Sequence, residues 1–419
     1  MWRGAIDGLR SWPQKQAMTE IFTGSFTQQE SIPEEGIEAA LAVLRHGRLH
    51  RYNVADGELG ETALLEQEFA AYTGARFALA CASGGYAMCT ALRALGVKAG
   101  DKVLSNAFTL APVPGAIASL GARPVYVGVT EALTLDLDEL EAKADQADVL
   151  LLSHMRGHIC DMDRLMAICE NAGVRVVEDC AHTMGARWRG VPSGRHGVIG
   201  CYSCQTYKHV NSGEGGFLVT DDEELAARAI VLSGSYMLYE RHLAAPPPEV
   251  FDRVKYETPN ISGRMDNLRA AILRPQLRTL DEQVSRWNAR YRALEDGLQG
   301  TPGLTLIPRP EVEEYVGSSF QLLLLDWPKD DVMNVVSRCA AKGVELKWFG
   351  ADEPTAFTSR YDSWRYSDVP SLPDSDRVLA GLLDMRVPLT FSLEDCALIA
   401  RIIRAEVGAV YQQAVRQAG

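Results

Sequence analysis

Phe77-Ala78-Leu79-Ala80-Cys81-Ala82-Ser83-Gly84-Gly85-Tyr86-Ala87-Met88-Cys89-Thr90-Ala91-Leu92-Arg93-Ala94-Leu95-Gly96 decides the fold. Its first five residues are apolar without alternation, as in a strand buried on both faces. Ala82-Ser83-Gly84-Gly85 is a small, polar turn. A helix then runs from Tyr86 to Leu95 and stops at Gly96. A strand, a small turn and a helix N-terminus together make a seat for an anion, because free N–H groups and the helix dipole meet there. A plain βα turn reads the same way.

The pattern repeats downstream. Strands are expected at Lys102–Leu104, Pro124–Val129, Asp148–Ser153 and Arg175–Glu178, and helices at Pro112–Leu120, Asp138–Lys143 and Met162–Ala172. Strands this uniformly apolar have no wet face. The class is α/β, with a mostly parallel central sheet covered by helices on both faces. Sites in such sheets lie beyond the strand C-termini. Ser83, His154, Asp179 and Lys208 all fall there.

Upstream, helices are expected at Pro33–Arg48, with Ile37, Leu41 and Leu44 near one face, and at Glu61–Thr73. Met1 to about Ser31 reads as a poorly packed arm. Downstream come a helix at Asp222–Leu232, a long loop from Ser233 to Gly263 and a long helix from Asp266 to about Gly300, kinked near Pro275. The remainder reads as a smaller α+β unit: strand Phe320–Leu325, helix Val332–Lys342, strand Val344–Lys347, helix Ser375–Leu383 and a last helix from Leu393. The expected division is an arm over 1–34, a large domain over 35–285 and a small domain over 286–419.

The chain has 419 residues, 47% of them apolar and 23% charged, as in a globular protein. A net charge of −13 argues against nucleic acid as a partner. The N-terminus has no signal-peptide apolar region, and no segment approaches the ~20 apolar residues of a membrane span, so a cytoplasmic protein is expected. Nine cysteines scattered through apolar segments fit a reducing compartment. Cys201 and Cys204 have CxxC spacing but lie on an expected strand without a second ligand pair, and no metal is assigned.

Two strands flank Gln205-Thr206-Tyr207-Lys208-His209-Val210-Asn211-Ser212-Gly213-Glu214-Gly215. A lysine on such a loop can reach into a pocket, where burial makes the neutral, nucleophilic amine more available. A surface lysine in a hairpin loop is the other reading. Asp179 closes a strand three residues before His182. Such a carboxylate can hold a cationic ring nitrogen, as pyridoxal phosphate (PLP) chemistry requires, or can cap a turn. His182 can bond a phenolic oxygen or be a turn histidine.

Several short stretches follow one another along the chain: Ala82-Ser83-Gly84-Gly85, Leu95 to Asp101, Gly121 to Val125, Asp161-Met162-Asp163, Val177 to His182, Ser203 with Lys208, Gly213 to Gly216, and Arg264-Met265. In these the chain resembles the DegT/StrS family of PLP-dependent sugar aminotransferases, of fold type I. The resemblance implies that Lys208 is the Schiff-base lysine and proton shuttle, and that Asp179 is the partner of the pyridine nitrogen. It implies Ser83, Gly84, Gly85 and Ser203 around the phosphate, and Asn260 reaching the phosphate of a neighbouring subunit in a homodimer. Gly85 stands where the family has Thr. Leu110, with Phe108 nearby, stands where an aromatic stacks on the cofactor, and His182 stands for Gln. His154-Met155-Arg156-Gly157-His158 replaces His-Leu-Tyr-Gly-Gln. His154, Arg156 and Trp348 are substrate-side candidates, Arg156 toward a carboxylate or phosphate, with a surface arginine and core packing as the other readings.

The implied activity is ping-pong transamination from an amino donor, glutamate or glutamine, to a keto acceptor such as a keto-sugar or sugar nucleotide. Dehydration of a keto-sugar is a rival; that branch has histidine in place of the lysine, and here Lys208 is present beside His209. A non-catalytic, ligand-sensing relative is the rival of another class.

Overall fold

The computed structural model describes residues 20–235 and 237–418. Strands β1 (Phe77–Cys81), β2 (Lys102–Asn106), β3 (Arg123–Val127), β4 (Val149–Ser153) and β5 (Arg175–Asp179) are each followed by a helix or a turn. The short β6 (Arg187–Trp188) and β7 (Val191–Pro192) precede β8 (Ile199–Ser203) and β9 (Gly216–Thr220). The main sheet has seven strands in the order β1-β9-β8-β5-β4-β2-β3. Only β9 runs against its neighbours. The C-terminal ends of β1, β4, β5 and β8 therefore share one edge.

Both faces are covered. Leu150, Leu152 and Val176 pack with Phe69, Met162 and Leu165 on one side. Leu151 and Val177 pack with Leu92, Ile117 and Ile230 on the other. Each such side chain contributes about 1.5–3 kcal/mol when fully buried, and this is why the strands carry no polar alternation.

Beyond lie β10 (Thr305–Leu306), β11 (Glu313–Glu314), β12 (Ser319–Leu323), β13 (Lys347–Trp348) and β14 (Leu382–Arg386). Four of them form an antiparallel sheet, β10-β12-β14-β13, and β11 joins β6 and β7 in a third sheet. Helices Lys329–Ala340 and Leu393–Ala418 cover the four-stranded sheet around Phe320, Leu322, Val335 and Ile403. No helix among the described residues is long and apolar enough to cross a membrane.

Several expectations are corrected. The described part of the N-terminal arm is mostly exposed but is anchored by two aromatics: Phe22 and Phe26 are each 3% exposed. Both meet Phe391 edge-on at 5.0 Å, and Phe22 N–H donates to Lys342 O at 2.9 Å. Two aromatics in an aperiodic stretch carry no local sign of burial. Residues 1–19 lie outside the described residues. The expected apolar face of Glu34–His46 is partly wet, Ile37 being 38% and Leu44 53% exposed. The loop over 233–263 contains a helix, Pro248–Val254, whose buried Phe251 stacks on Tyr239 at 4.0 Å. The long helix is two, Asn267–Arg278 and Leu280–Leu298, divided at Thr279 rather than at Pro275. There the Thr279 N–H turns to Gln276 O at 3.3 Å. The helix expected over Ser375–Leu383 ends at Ala380, and Leu382 begins β14, which pairs with both β12 and β13.

Candidate active site

The shared strand edge opens on a cavity of about 370 Å³. Ser83, Gly84 and Gly85 enter it after β1, Asp179 and His182 after β5, and Ser203 and Lys208 after β8. Met88, Leu110, Val113 and Met155 supply apolar wall.

Ser83 caps the helix Gly84–Ala94, its Oγ accepting the Tyr86 N–H at 3.1 Å. Gly84 and Gly85 open that helix, so their N–H groups have no intrahelical partner and the helix dipole points its positive end at the cavity. Glycine is required at 84, since a Cβ there would lie 2.8 Å from Ser203 Cβ.

Asp179 is held from two sides. Its Oδ1 accepts the Ala181 N–H at 3.1 Å and its Oδ2 accepts the Ser153 hydroxyl at 3.0 Å. Ser153 Oγ in turn accepts from Thr109 Oγ1 at 2.8 Å. Burial raises the pKa of Asp179, and the nearby Lys208 charge opposes that rise. A buried carboxylate that resists ionising alone suits a cationic ring partner.

The Lys208 amine lies 2.9 Å from His182 Nε2. Burial, then the Arg156 guanidinium, lowers the Lys208 pKa to about 7, against the pull of Asp179. Burial and Lys208 hold His182 well below its ordinary value, so its ring is neutral. Its Nδ1 accepts the Arg156 N–H at 3.4 Å, which leaves the ring proton on Nε2, facing the amine.

A second chamber of about 200 Å³ shares Leu110, His182, Gln205 and Lys208 with the first. Arg156, Tyr207, Phe357 and Arg386 line it. Arg386, at the end of the unexpected β14, went unread in the sequence. So did Ser153 and Thr109, although Ser153 closes a strand on the site edge, which is a readable sign.

Three candidates stand elsewhere. His154 is turned away, its Nε2 3.0 Å from Glu178 Oε2 under the sheet edge. Glu178 also accepts the N–H groups of Gly194, His196 and Gly197. Cys180 lies within reach of both as a potential ligand group, though the Glu178 oxygens are already engaged. Trp348 donates its indole N–H to Ala380 O at 2.7 Å and packs on the four-stranded sheet. Asn260 is exposed and lines neither chamber of its own chain. Cys201 and Cys204 are buried, and burial pushes both thiols well above their usual range, against redox use. Tyr361 and Trp364 belong to a core cluster with Tyr126.

The model of one protein family, the DegT/DnrJ/EryC1/StrS aminotransferase family, matches residues 30–404. The chain is 32% identical over 244 residues to the pleiotropic regulatory protein of Geobacillus stearothermophilus, covering 56% of this chain and 61% of that one. It is 30% identical over 331 residues to a Micromonospora echinospora protein assigned as an L-glutamine:3-amino-2,3-dideoxy-scyllo-inosose aminotransferase, covering 74% of this chain and 77% of the relative. Its fold matches that of a Streptococcus pneumoniae protein assigned as a sugar aminotransferase and solved in its PMP form. That match has a TM-score of 0.78 at 20% identity and covers 92% of this chain and 99% of the other.

Proposed function

The chain belongs to the DegT/DnrJ/EryC1/StrS aminotransferase family, and from that premise we propose that it binds PLP in the 370 Å³ cavity and transfers an amino group from glutamate or glutamine to a keto-sugar or related keto acceptor. The observation that carries the reading is one half-buried amine, Lys208, its pKa lowered by desolvation to about 7, in a cavity that also holds the Asp179 carboxylate. The residues present fit the cofactor: a nucleophilic amine, a buried acid for a ring N–H, a helix N-terminus for a phosphate and apolar walls for a flat ring. When bound, PLP supplies a ring that takes up the electron pair released at the substrate carbon.

The chain's own residues do the rest. The Gly84 and Gly85 amides, with the Ser83 and Ser203 hydroxyls, hold the phosphate. Ser83 keeps its hydroxyl proton free to donate, because its Oγ lone pair serves the Tyr86 N–H. Asp179, oriented by Ser153 and Ala181, keeps a ring nitrogen protonated. Lys208 Nζ moves the proton at the substrate carbon, and its pKa near 7 lets it act as base and then as acid at neutral pH. His182 orients the amine through its 2.9 Å contact. Leu110 supports one ring face. Asn260, exposed on its own chain, serves the phosphate across a homodimer.

Replacing Lys208 with Ala tests the reading. The PLP-treated variant is expected to lose the absorbance of covalently held cofactor and the half-reaction with glutamate or glutamine. Full turnover in that variant would rule the reading out. Scanning keto-sugars, keto acids and aldehydes with the amine-loaded enzyme identifies the acceptor.

A further inference from the structure

Asp179 is held by a chain of hydroxyls that starts two strands away, in the loop after β2. Ser153 and Asp179 close β4 and β5 and are register partners, so their side chains leave the sheet side by side. Ser153 Oγ donates to Asp179 Oδ2 at 3.0 Å, and Thr109 Oγ1 donates to Ser153 Oγ at 2.8 Å. β2 and β4 pair only through Leu104 with Leu150 and Ser105 with Leu151. Beyond them the Asn106 side chain bridges the two strands. Its Oδ1 accepts the Ser153 N–H at 2.8 Å, and its Nδ2 donates to Ser153 O at 3.0 Å. Ser153 is thus clamped at backbone and side chain, and Asn106, Thr109 and Ser153 are all buried.

The chain runs one way. A hydroxyl has one proton to give. Ser153 gives its proton to Asp179, and Thr109 gives its own to Ser153. Reversal would have a protonated Asp179 donate to Ser153 and Ser153 donate to Thr109. The Thr109 proton would then lack an acceptor, because among the described residues Thr109 Oγ1 has no other hydrogen-bond partner. A buried donor left unpaired is unfavourable. The other Asp179 oxygen meets the Ala181 N–H, which can only donate. Both oxygens therefore already accept, and hydrogen bonds received by the charged form favour that form. Lys208 and the His154 ring act in the same direction against burial, and burial keeps the neighbouring Cys180 and Cys201 thiols neutral.

We propose that Thr109 and Ser153 are positioning residues whose hydroxyls, locked in one direction, keep Asp179 an acceptor, so that the proton it shares with a cofactor ring nitrogen rests on the ring. Asp179 then stays a carboxylate, and the ring nitrogen carries the N–H and the positive charge. Asn106 sets the direction by fixing the Ser153 backbone. The part concerning the ring rests on the PLP reading; the hold on Asp179 belongs to the protein alone.

The test has two arms. In the first, the cofactor-free protein carries isotope-labelled aspartate carboxyls and is titrated by NMR, the Asp179 signal being the one lost in Asp179→Asn. Its titration midpoint should move up by about one pH unit in Ser153→Ala. It should move up by less in Thr109→Val and return in Thr109→Ser, which restores the hydroxyl. If Ser153→Ala fails to fold, Thr109→Val and Thr109→Ser carry the test, since Val keeps the shape of Thr. A midpoint unmoved by Thr109→Val overturns the proposal, even where Ser153→Ala moves it. In the second arm, each protein is loaded with PLP labelled at its ring nitrogen. At neutral pH the wild-type signal should lie in the protonated range. In Thr109→Val and Ser153→Ala it should shift toward that of a neutral pyridine, and Thr109→Ser should restore it. A ring signal that stays put while the Asp179 midpoint rises overturns the effect on the cofactor. A protein that takes up no PLP would sink the proposed function, and the first arm would still decide whether the hydroxyls hold Asp179.

Discussion

At residue scale, Lys208 is the group whose surroundings change its chemistry most usefully. At pH 7.5 a fall in pKa from 10.5 to about 7 raises the neutral amine share roughly a thousandfold. The same shift is a stability statement. The unfolded chain holds the Lys208 proton up to about 10.5 and the folded chain only up to about 7, so between those values the unfolded state binds more protons and stability rises with pH. Lys208→Met removes this dependence. Without cofactor, the variant should be the more stable near pH 7, and its advantage should shrink by about 1.4 kcal/mol per pH unit toward pH 10. Urea denaturation of both proteins at pH 7.5 and 9.5 checks this, and a gap that ignores pH contradicts it. Lys208, Asp179 and Ser83 were legible in sequence because each stands just after an apolar strand. Thr109 was not, since its link to Asp179 runs through Ser153 and nothing local marks it.

At the scale of elements, the N-terminus of helix Gly84–Ala94 is capped by Ser83 and, in the proposed function, also holds the phosphate; substitution at Ser83 separates the two. Ser83→Ala removes the cap and should lower stability by about 1 kcal/mol. Ser83→Asp keeps a capping oxygen but sets a negative charge at the proposed phosphate seat. It should retain most of the stability and lose PLP uptake, as read by chemical denaturation beside a PLP titration. An Asp variant that takes up PLP like the wild type would place the phosphate elsewhere. Elements with clear local punctuation were read correctly. The helix Met162–Ala172 starts at an Asp161 cap and stops at Gly173 with φ 71°, and both bounds match the expectation. β14 was misread because Leu382-Leu383 continues the apolar spacing of the helix before it. Gly381, with its N–H turned to Val378 O at 3.2 Å, ends that helix. Pairing with β12 and β13 then makes the next residues a strand, and it sets Arg386 at the chamber.

At the scale of the molecule, a buried ion network ties the second helix to the segment after Leu232. Arg51 donates to both Glu66 oxygens at 2.8 and 2.7 Å, and His242 Nδ1 lies 3.1 Å from Glu66 Oε2. Glu66 Oε1 also accepts the Ala80 N–H of β1 at 2.8 Å. Burial works against ionised Glu66, but Arg51 and His242 together bring its pKa down to about 2. A depressed carboxylate stabilises above its unfolded pKa and loses that contribution as pH falls toward its folded one. Glu66→Gln should therefore destabilise at pH 7 by about 3–5 kcal/mol, since Arg51 is left buried and unpaired. The loss should shrink between about pH 4.5 and 2, as measured by denaturant midpoints at several pH values; a variant as stable as the wild type at pH 7 would refute the role of the network. What the sequence determined alone was the sheet class, the edge bearing Ser83, Asp179 and Lys208, and the positions of most helices, because strand apolarity, caps and glycine stops act within a few neighbouring residues. Only the tertiary structure decided that Phe22 and Phe26 fill a core, that His154 and Trp348 turn from the cavity, and that Arg156 meets Asp384 beside Arg386. Each of those outcomes depends on which distant segments pack together and which donors burial leaves open, and no local period records either.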